Sequence, residues 1–395
     1  MEHDTDIQSP TVAIVGGGLT GGLAALGFAQ KGWHTVHIAP APAHTDRRST
    51  ALLSPSLAFL EELDLLTALE GKGAPLRIMR LLDGTRRLLR TPPTDFVASE
   101  AGLDAFGTNF LNADILDAIT EASAGLENLE RIDRPAESAD VGAQPSITLS
   151  DGTQIRADLI VAGDGRNSII RQAAGIDVRK WSYPQVAMVG EFTHSRDHGF
   201  VSTEFHTTSG PFTTVPMPGK RSSLVWVAEP TDADTIMALD MDAAARKIER
   251  RLQSSLGRVQ LERPLQAFPL EGMIAKSFAS QGALLVGEAS HVFPPIGAQG
   301  LNLGIRDVKD ALNAAGSPQT LNQTDRDSVC AAFNRSRAAD VRLRTAGVDA
   351  LNRSLLTEAL PVQLARGVGL HALSSSSLLR RGAMAVGLGA RKRRA

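Results

Sequence analysis

The amino-acid sequence predicts an α/β fold built on a Rossmann-like parallel sheet. Three short, largely apolar runs have the composition of buried strands, and a glycine follows each of them at once: Thr11 to Val15, Asp158 to Ala162 and Ala283 to Val286. Because the carboxyl ends of parallel strands lie at one edge of a sheet, the three glycine segments are predicted to meet in one crevice. The long stretches between them predict a second, mixed sheet interleaved with the first.

The first glycine segment has the spacing of a dinucleotide-binding turn. Gly16, Gly18 and Gly21 follow the first strand, and Leu23 to Gln30 has helical composition. At such a junction the first glycine permits the tight turn, the second lets backbone approach a pyrophosphate, and the third lets the helix pack on the sheet. An ordinary glycine-rich turn is the simpler alternative. Five glycines within residues 16 to 22 favour the phosphate site.

One partner expected of such a turn is missing from the next strand. Thr35 to Ile38 should end in a carboxylate that accepts hydrogen bonds from the adenosine ribose, but Pro40 stands there. Proline has no side-chain acceptor, so the ribose must be held by water, by backbone, or by a neighbour such as Asp46.

The middle and late segments supply further candidates for the same site. Gly163, Asp164 and Gly165 end the second apolar run, and Gly287 and Glu288 follow the third. A helix is predicted to begin near Leu301 and Asn302, where its N-terminus would stabilise negative charge on a bound ring system. The cofactor-binding residues predicted from these segments are Gly16, Gly18, Gly21, Asp164, Gly165, Gly287, Glu288, Gly297, Gln299, Gly300, Leu301 and Asn302.

Several motifs together resemble one known family over nearly the whole chain. Asp46 to Leu52 looks like a D-x-R-x-x-A-L loop, Trp181 to Gln185 and Gly210 to Pro216 look like substrate-domain strands, and Leu360 to Leu370 resembles a C-terminal helical tail. The family is the class A flavin monooxygenases, and within it the aromatic-ring hydroxylases of ubiquinone biosynthesis, the UbiH/UbiF type. The chain departs from the family pattern at Pro40, Glu288, Ser290 and Ala298.

The resemblance implies an enzyme that inserts oxygen into an aromatic ring. FAD would be the cofactor and O2 the oxidant, and the reagent that attacks the ring would be a flavin C4a-hydroperoxide. NAD(P)H or a protein electron donor would serve as the transient reductant. No metal is expected. Arg48 would lie near the flavin, and Pro295 would shape the pocket. His198, with His194 and His206, is a candidate for phenol deprotonation. The alternative for all three histidines is a hydrogen-bonding role on the strands.

The predicted domains are discontinuous. The FAD-binding domain comprises residues 1–75, 112–175 and 275–335. The substrate domain comprises residues 76–111 and 176–274. A C-terminal helical region with a basic tail comprises residues 336–395. A chain of 395 residues with 43% hydrophobic residues can bury cores of this size. The single cysteine, Cys330, excludes an internal disulfide, suits a reducing compartment, and is interpreted as a small buried residue.

Charge is distributed unevenly along the chain. Residues 351–395 carry eight basic side chains and one acidic, although the net charge of the chain is −2. Two interpretations of this tail stay open: helices that rest on an anionic membrane surface, or a solvated charge run packed on its own domain. The N-terminus is acidic and lacks a signal-like core, so a cytoplasmic protein is expected, with the inner membrane surface as its peripheral contact under the first interpretation. The net negative body argues against nucleic-acid binding.

The resemblance leaves three functions to compare. The first is hydroxylation of a polyprenylated phenol in ubiquinone biosynthesis, within a biosynthetic complex or alone. The second is a flavin monooxygenase of a soluble aromatic acid, for which the basic tail would have no purpose. The third is a non-catalytic subunit of a ubiquinone-biosynthesis complex that keeps the fold but binds FAD weakly, an alternative motivated by Pro40 and Glu288.

Overall fold

A computed structural model describes residues 10–41, 46, 48–85, 93–294, 299–356 and 375–388. It confirms the predicted α/β class. The strands, in chain order, are β1 (Thr11–Val15), β2 (His34–Ile38), β3 (Ser49–Leu53), β4 (Ala74–Pro75), β5 (Ile78–Asp83), β6 (Thr94–Val97), β7 (Gly107–Leu111), β8 (Leu129–Ile132), β9 (Ala136–Asp140), β10 (Ser146–Leu149), β11 (Gln154–Arg156), β12 (Leu159–Ala162), β13 (Val178–His194), β14 (Val201–Thr207), β15 (Gly210–Met217), β16 (Arg221–Ala228), β17 (Val259–Leu261), β18 (Gln266–Ala275), β19 (Ala279–Ser280), β20 (Ala283–Leu285) and β21 (His291–Val292). The helices are α1 (Leu19–Gln30), α2 (Ser54–Glu62), α3 (Asn112–Ser123), α4 (Ile169–Ala173), α5 (Pro230–Met237), α6 (Met241–Arg251), α7 (Gln299–Ala315), α8 (Gln323–Leu356) and α9 (Ser377–Leu388).

The first sheet has the strand order β19-β20-β12-β1-β2-β8. From β20 to β8 its neighbours are parallel, and only the short β19 runs antiparallel. The chain leaves β1 for β2 on one side and returns to β12 on the other, so the strand order reverses at β1. Ligands of such sheets bind outside the carboxyl ends of the strands at that reversal. Val15 pairs with Ala162 there, and Ala162 pairs with Leu285, which brings the three strand ends side by side.

Helices and a small sheet cover the two faces of this parallel sheet. On one face, α1 packs with α3 and α7 over a core that includes the fully buried Phe28 and Trp33. Cys330 is buried in the same core, as predicted. On the other face lie α4 and the antiparallel sheet β11-β10-β9. The alternation of strand and helix in the sequence dictates this layering, because a parallel sheet must bury both faces.

The second sheet has nine strands, in the order β21-β18-β13-β16-β15-β14-β5-β6 with β17 paired to β13. It is mixed, because β14 runs parallel to β5 while the remaining pairs are antiparallel. Helices α5 and α6 cover one of its faces over a core that includes Phe192, Phe205, Phe212 and Trp226. A three-stranded sheet, β3-β7-β4, lies between this sheet and the first. The domain boundaries given above stay predictions.

The C-terminal part of the chain packs back on the body of the protein. Helix α9 contacts the turn at residues 98–101, where Arg380 forms an ion pair with Glu100 (2.7 Å between Nη2 and Oε1). Met384 is buried beside Ala98 and Phe106. Arg353, Arg366 and residues 391–394 of the basic tail lie outside the described side chains. Among the helices described, none is long and apolar enough to cross a bilayer.

Candidate dinucleotide site

The three glycine segments meet, as the sequence predicts: the first and middle segments through their backbones, and the third against the side chain of Thr20 in the first. A Cβ atom on Gly16 would lie 2.2 Å from the carbonyl oxygen of Gly163, and one on Gly21 would lie 2.0 Å from that of Gly16. A Cβ atom on Gly287 would lie 2.9 Å from Oγ1 of Thr20. Any side chain at these positions would force the segments apart, so glycine is required for the convergence itself.

Gly18 is a different kind of glycine. A Cβ atom at this position would meet no protein atom within 4 Å. Its backbone (φ −80°, ψ 177°) suits any residue, so neither crowding nor conformation explains the missing side chain. Gly18 is the N-cap of α1 and has no side chain to bind the free N–H groups of the first turn. Those donors and the helix dipole are therefore available to an anion.

The carboxylate of Asp164 lies beneath the middle segment. Its Oδ2 accepts hydrogen bonds from the backbone N–H groups of Ile169 (2.9 Å) and Ile170 (3.4 Å), at the start of α4. Its Oδ1 is buried and has no hydrogen-bond partner among the described residues. Burial raises the pKa of Asp164, although hydrogen bonds from Ser168 and the α4 backbone oppose the shift. Oδ2 thus stabilises the start of α4, while Oδ1 can still accept a hydrogen bond.

Arg171 joins the middle segment to the late one. Its side chain is buried, and Nη1 donates to the carbonyl of Ala289 (2.8 Å) while Nη2 donates to that of Arg166 (3.0 Å). The bond to Ala289 connects residues 118 positions apart in sequence, whereas the bond to Arg166 is local. The sequence indicated only that Arg171 belongs to a helix, so this bridging role was missed.

A buried charge network supports the late segment from behind. Asp307 on α7 accepts hydrogen bonds from the backbone N–H of Gly287 (2.8 Å), from Nε2 of His291 (2.7 Å) and from Nε of Arg337 on α8 (2.7 Å). All three side chains are almost completely buried. Arg337 also bonds to Asp310 and Asp340. The Gly287 turn is therefore held in place by a buried ion-pair network.

Asn302 plays a scaffolding role that differs from the one predicted. Its side-chain Oδ1 accepts from the backbone N–H of Leu53 (2.9 Å) and from Oγ of Ser56 (2.7 Å), and Nδ2 donates to the carbonyl of Ala51 (2.8 Å). The side chain therefore fixes the start of α7 to β3 and α2 instead of facing a ligand. Its predicted part in cofactor binding, through the first turn of α7, stays a prediction.

Charged side chains surround the outer part of the crevice. Arg48 makes two hydrogen bonds to Asp46, from Nε to Oδ1 (2.9 Å) and from Nη2 to Oδ2 (2.7 Å), and this pairing raises the pKa of the guanidinium. Glu288 is half exposed and lies 3.3 Å from Nη2 of Arg166. Arg48 is also attracted by the charge of Glu288, so the first and third segments share one electrostatic environment.

The predicted substitute for the ribose-binding carboxylate is engaged elsewhere. Asp46 bonds to Arg48 and accepts a hydrogen bond from Nδ2 of Asn112 (2.9 Å), which fixes the loop before β3. Close to Pro40, the exposed carboxylate of Asp133 instead accepts the backbone N–H of Ala41. Asp133 follows β8, the strand beside β2, so a carboxylate is present at this edge although β2 does not supply it.

The predicted catalytic role of His198 is not supported by its surroundings. Nε2 of His198 lies 3.0 Å from the carbonyl of Met217, and Nδ1 accepts the backbone N–H of Phe200. His194 is also bonded through both ring nitrogens, to the carbonyl of Arg196 and to Oγ of Ser222. Neither imidazole has a nitrogen left to receive a proton from a substrate.

The remaining predicted residues are Gly165, which follows β12, and a group near the start of α7. Gly165 adopts a left-handed backbone (φ +83°), and Gly300 is open, with no atom within 4 Å of a Cβ position. Leu301 packs against the core of the parallel sheet. Pro295, Gly297 and the side chain of Gln299 lie outside the described part of the chain.

Comparison with known proteins identifies the dinucleotide. A family profile described as an FAD binding domain matches residues 9–317. Over 387 residues the chain is 32% identical to the ubiquinone hydroxylase UbiL of Rhodospirillum rubrum, covering 94% of this chain and 87% of that protein. It is 29% identical to the 3-demethoxyubiquinol 3-hydroxylase of Escherichia coli K12, covering 97% and 99% of the two chains.

Solved structures agree on the fold. The p-nitrophenol 4-monooxygenase PnpA of Pseudomonas putida DLL-E4 superposes with a TM-score of 0.75 at 18% identity, over 97% of this chain and 99% of that one. FAD fits the crevice described here, because Gly18 and Gly300 leave open backbone, α1 presents uncapped N–H groups, and Oδ1 of Asp164 has no described partner.

Proposed function

The chain belongs to the FAD-dependent aromatic-ring monooxygenases of ubiquinone biosynthesis, and we propose that it hydroxylates the ring of a polyprenylated phenol on that pathway. The observation that carries this proposal is the convergence of three glycine segments on one crevice in a chain that is 32% identical to a ubiquinone hydroxylase. When bound, FAD supplies the activation of O2 that ring hydroxylation needs.

The residues proposed to hold FAD divide by the part of the cofactor they would meet. Gly18 and the first turn of α1 would receive the pyrophosphate, because they combine open backbone with free N–H donors. Asp133, beside Pro40, is the proposed acceptor for the adenosine ribose. Glu288 would meet the ribityl chain after moving away from Arg166, from which it is 3.3 Å distant. The first turn of α7, at Gly300, would face the ring system with its positive end.

The protein's own part in the reaction is to hold the ring and exclude water. Arg48 carries a guanidinium that Asp46 orients by two hydrogen bonds, so its charge can face the cofactor without a change of rotamer. The half-buried face of the nine-stranded sheet supplies the opposite wall. Fixed charges on one side and an apolar sheet on the other suit a hydrophobic aromatic substrate.

We also propose that the C-terminal region brings the enzyme to an anionic membrane surface, where a polyprenylated substrate would be found. On α9, Leu379 is 50% exposed, and Arg381 is exposed beside it. Apolar and basic side chains presented together favour binding at a lipid headgroup layer. Arg380 does not share this role, because it is paired with Glu100.

The test of the proposed function is the quinone profile of a strain that lacks this gene. Accumulation of a prenylated precursor that lacks one ring hydroxyl, restored by the wild-type gene, is the expected result. An unchanged profile would favour a soluble aromatic substrate. Restoration by a variant that binds no FAD would instead indicate the non-catalytic subunit.

A further inference from the structure

Two titratable side chains lie together on β14, away from the glycine segments. Nε2 of His206 is 2.7 Å from Oε1 of Glu204, and Oγ1 of Thr213 donates to Oε2 of Glu204 (3.3 Å). The side chains of His206 and Glu204 are 9% and 17% exposed. Burying an imidazole–carboxylate pair costs desolvation free energy, so the pair needs either a structural or a functional explanation.

Strand alternation places this pair on the face of the nine-stranded sheet opposite helices α5 and α6. Phe205 packs with Phe212 and Trp226 in the core under α5 and α6. Successive residues of a strand point to opposite faces, so Glu204 and His206, on either side of Phe205, point to the other one. The two side chains are therefore not part of that core.

The face opposite α5 and α6 is the one on which other elements approach β15. Outside its own sheet, β15 is approached by β4, β7 and α8. Strand β7 pairs with β3, which begins directly after Arg48. Near the pair, the same face carries a small apolar cluster, formed by Tyr183, Ala187, Val227 and Leu270. An apolar surface with few polar groups, on the side of the sheet that β4 and β7 approach, has the character of a ligand-binding wall.

The hydrogen bond to Glu204 determines what His206 can do. An ionised carboxylate only accepts hydrogen bonds, so Nε2 of His206 carries the proton and Nδ1 is an acceptor. Among the described residues Nδ1 has no hydrogen-bond partner, in contrast to the ring nitrogens of His194 and His198. A carboxylate behind an imidazole fixes the orientation of the ring.

We propose that His206 is the catalytic base for the phenolic hydroxyl of the substrate and that Glu204 is its positioning residue. The proton of the phenol moves to Nδ1 of His206, giving an imidazolium paired with Glu204, and the electron pair stays on the phenolate oxygen. The phenolate donates electron density into the ring, which makes the ring carbon a better nucleophile for oxygen insertion. This inference rests on the proposed function, because it requires the substrate to be a phenol.

Of the residues paired in register with Glu204 and His206 on β5 and β15, one is titratable. On β5, Asp83 is the register partner of His206, and its Oδ1 accepts the backbone N–H of Thr85. On β15, the neighbours are Pro211 and Thr213, which do not titrate near neutral pH. A pH effect that disappears with His206 but not with Asp83 would therefore be assigned to the imidazole.

The experiment uses the FAD-loaded enzyme and a phenol that carries one prenyl group. Phenolate absorbance is titrated against pH in the oxidised complex, where no turnover occurs, for wild type, His206→Phe, Glu204→Gln, Asp83→Asn and the matched control His198→Gln. The wild-type enzyme and the Asp83 and His198 variants are expected to bind the substrate as phenolate at pH values well below about 10, where free phenol ionises. In His206→Phe the bound phenol should ionise near the pH at which free phenol does. Single-turnover hydroxylation by this variant should slow by about 100-fold or more.

Glu204→Gln provides the second test, because it keeps the shape of the pair and removes its charge. An intermediate shift of the phenolate titration with unchanged FAD content is expected. Wild-type titration and turnover in both Glu204→Gln and His206→Phe would overturn the inference while leaving the proposed function intact. A wild-type enzyme that neither binds nor hydroxylates the phenol would overturn the proposed function, and the inference with it.

Discussion

Replacing Gly18 by valine should weaken the binding of FAD while leaving the protein folded. Because no protein atom lies within 4 Å of its Cβ position and the backbone is extended, the apoprotein should lose only about 1 kcal/mol, the cost of a poor N-cap. The valine methyls would, however, occupy the space before the first turn of α1. Losing two hydrogen bonds to a charged phosphate costs about 3 kcal/mol or more, so FAD affinity should fall by at least about 100-fold.

The assay is FAD binding by quenching of flavin fluorescence, with thermal unfolding of the apoprotein in parallel. Gly125→Val is the matched control, because Gly125 is equally open but lies between α3 and β8, at the opposite edge of the parallel sheet. Gly21→Ala is the opposite case and should unfold the protein, since its Cβ would lie 2.0 Å from the carbonyl oxygen of Gly16. A folded Gly18→Val protein that binds FAD within about threefold of wild type would refute the proposed phosphate position.

Three further predictions follow from the same geometry. Arg171→Ala leaves the carbonyls of Ala289 and Arg166 without a donor, so urea unfolding should show a loss of about 2–5 kcal/mol together with weaker FAD retention; wild-type values for both would contradict the bridging role. Asp164 has a pKa raised by burial, so its folded form holds the proton more tightly and wild-type stability falls as pH rises from the ordinary pKa toward the raised one. The stability of apo Asp164→Asn relative to wild type should therefore increase as the pH rises above about 4, the ordinary pKa of a carboxyl, and a constant difference would show that the pKa of Asp164 is not raised. Replacing Arg381 and the basic residues 391–394 by glutamine should weaken sedimentation with anionic vesicles, by about 1 kcal/mol per charge in low salt, whereas Arg380→Gln should mainly loosen α9 from Glu100; unchanged sedimentation would leave the tail as packing alone.

The convergence of the glycine segments could be predicted from sequence because each of its causes is local. An apolar run followed by a glycine marks the carboxyl end of a buried strand, and parallel strands bring such ends to one edge. The family resemblance added the cofactor, and the comparisons confirm both the family and FAD. The individual site residues stay predictions, since their contacts with FAD are proposed from open backbone and unpaired atoms.

What the sequence could not provide is the set of partners that lie far apart along the chain. Arg171 bonds to Ala289 and Arg337 to Asp307 because tertiary packing brings them together, and no local pattern marks either pair. Asn302 was assigned to the cofactor because a helix was predicted to begin near it; that its side chain also binds β3 and α2 could not be predicted.

The three histidines show the same limit. They looked alike in sequence, and only the partners of each ring nitrogen distinguish His206 from His194 and His198. Strand alternation around Phe205 would have indicated which face His206 occupies. It could not have shown that Nε2 of His198 forms a hydrogen bond with the carbonyl of Met217.

Single-turnover hydroxylation with ¹⁸O₂ tests the central claim most directly. The FAD-loaded enzyme is reduced chemically, which removes any need for its natural electron donor, mixed with a prenylated phenol, and exposed to the labelled gas. The account predicts a product with one additional ring hydroxyl whose oxygen is labelled, formed in proportion to bound FAD. Reoxidation of the flavin without labelled product, for this phenol and its longer-chain analogues, would contradict the account.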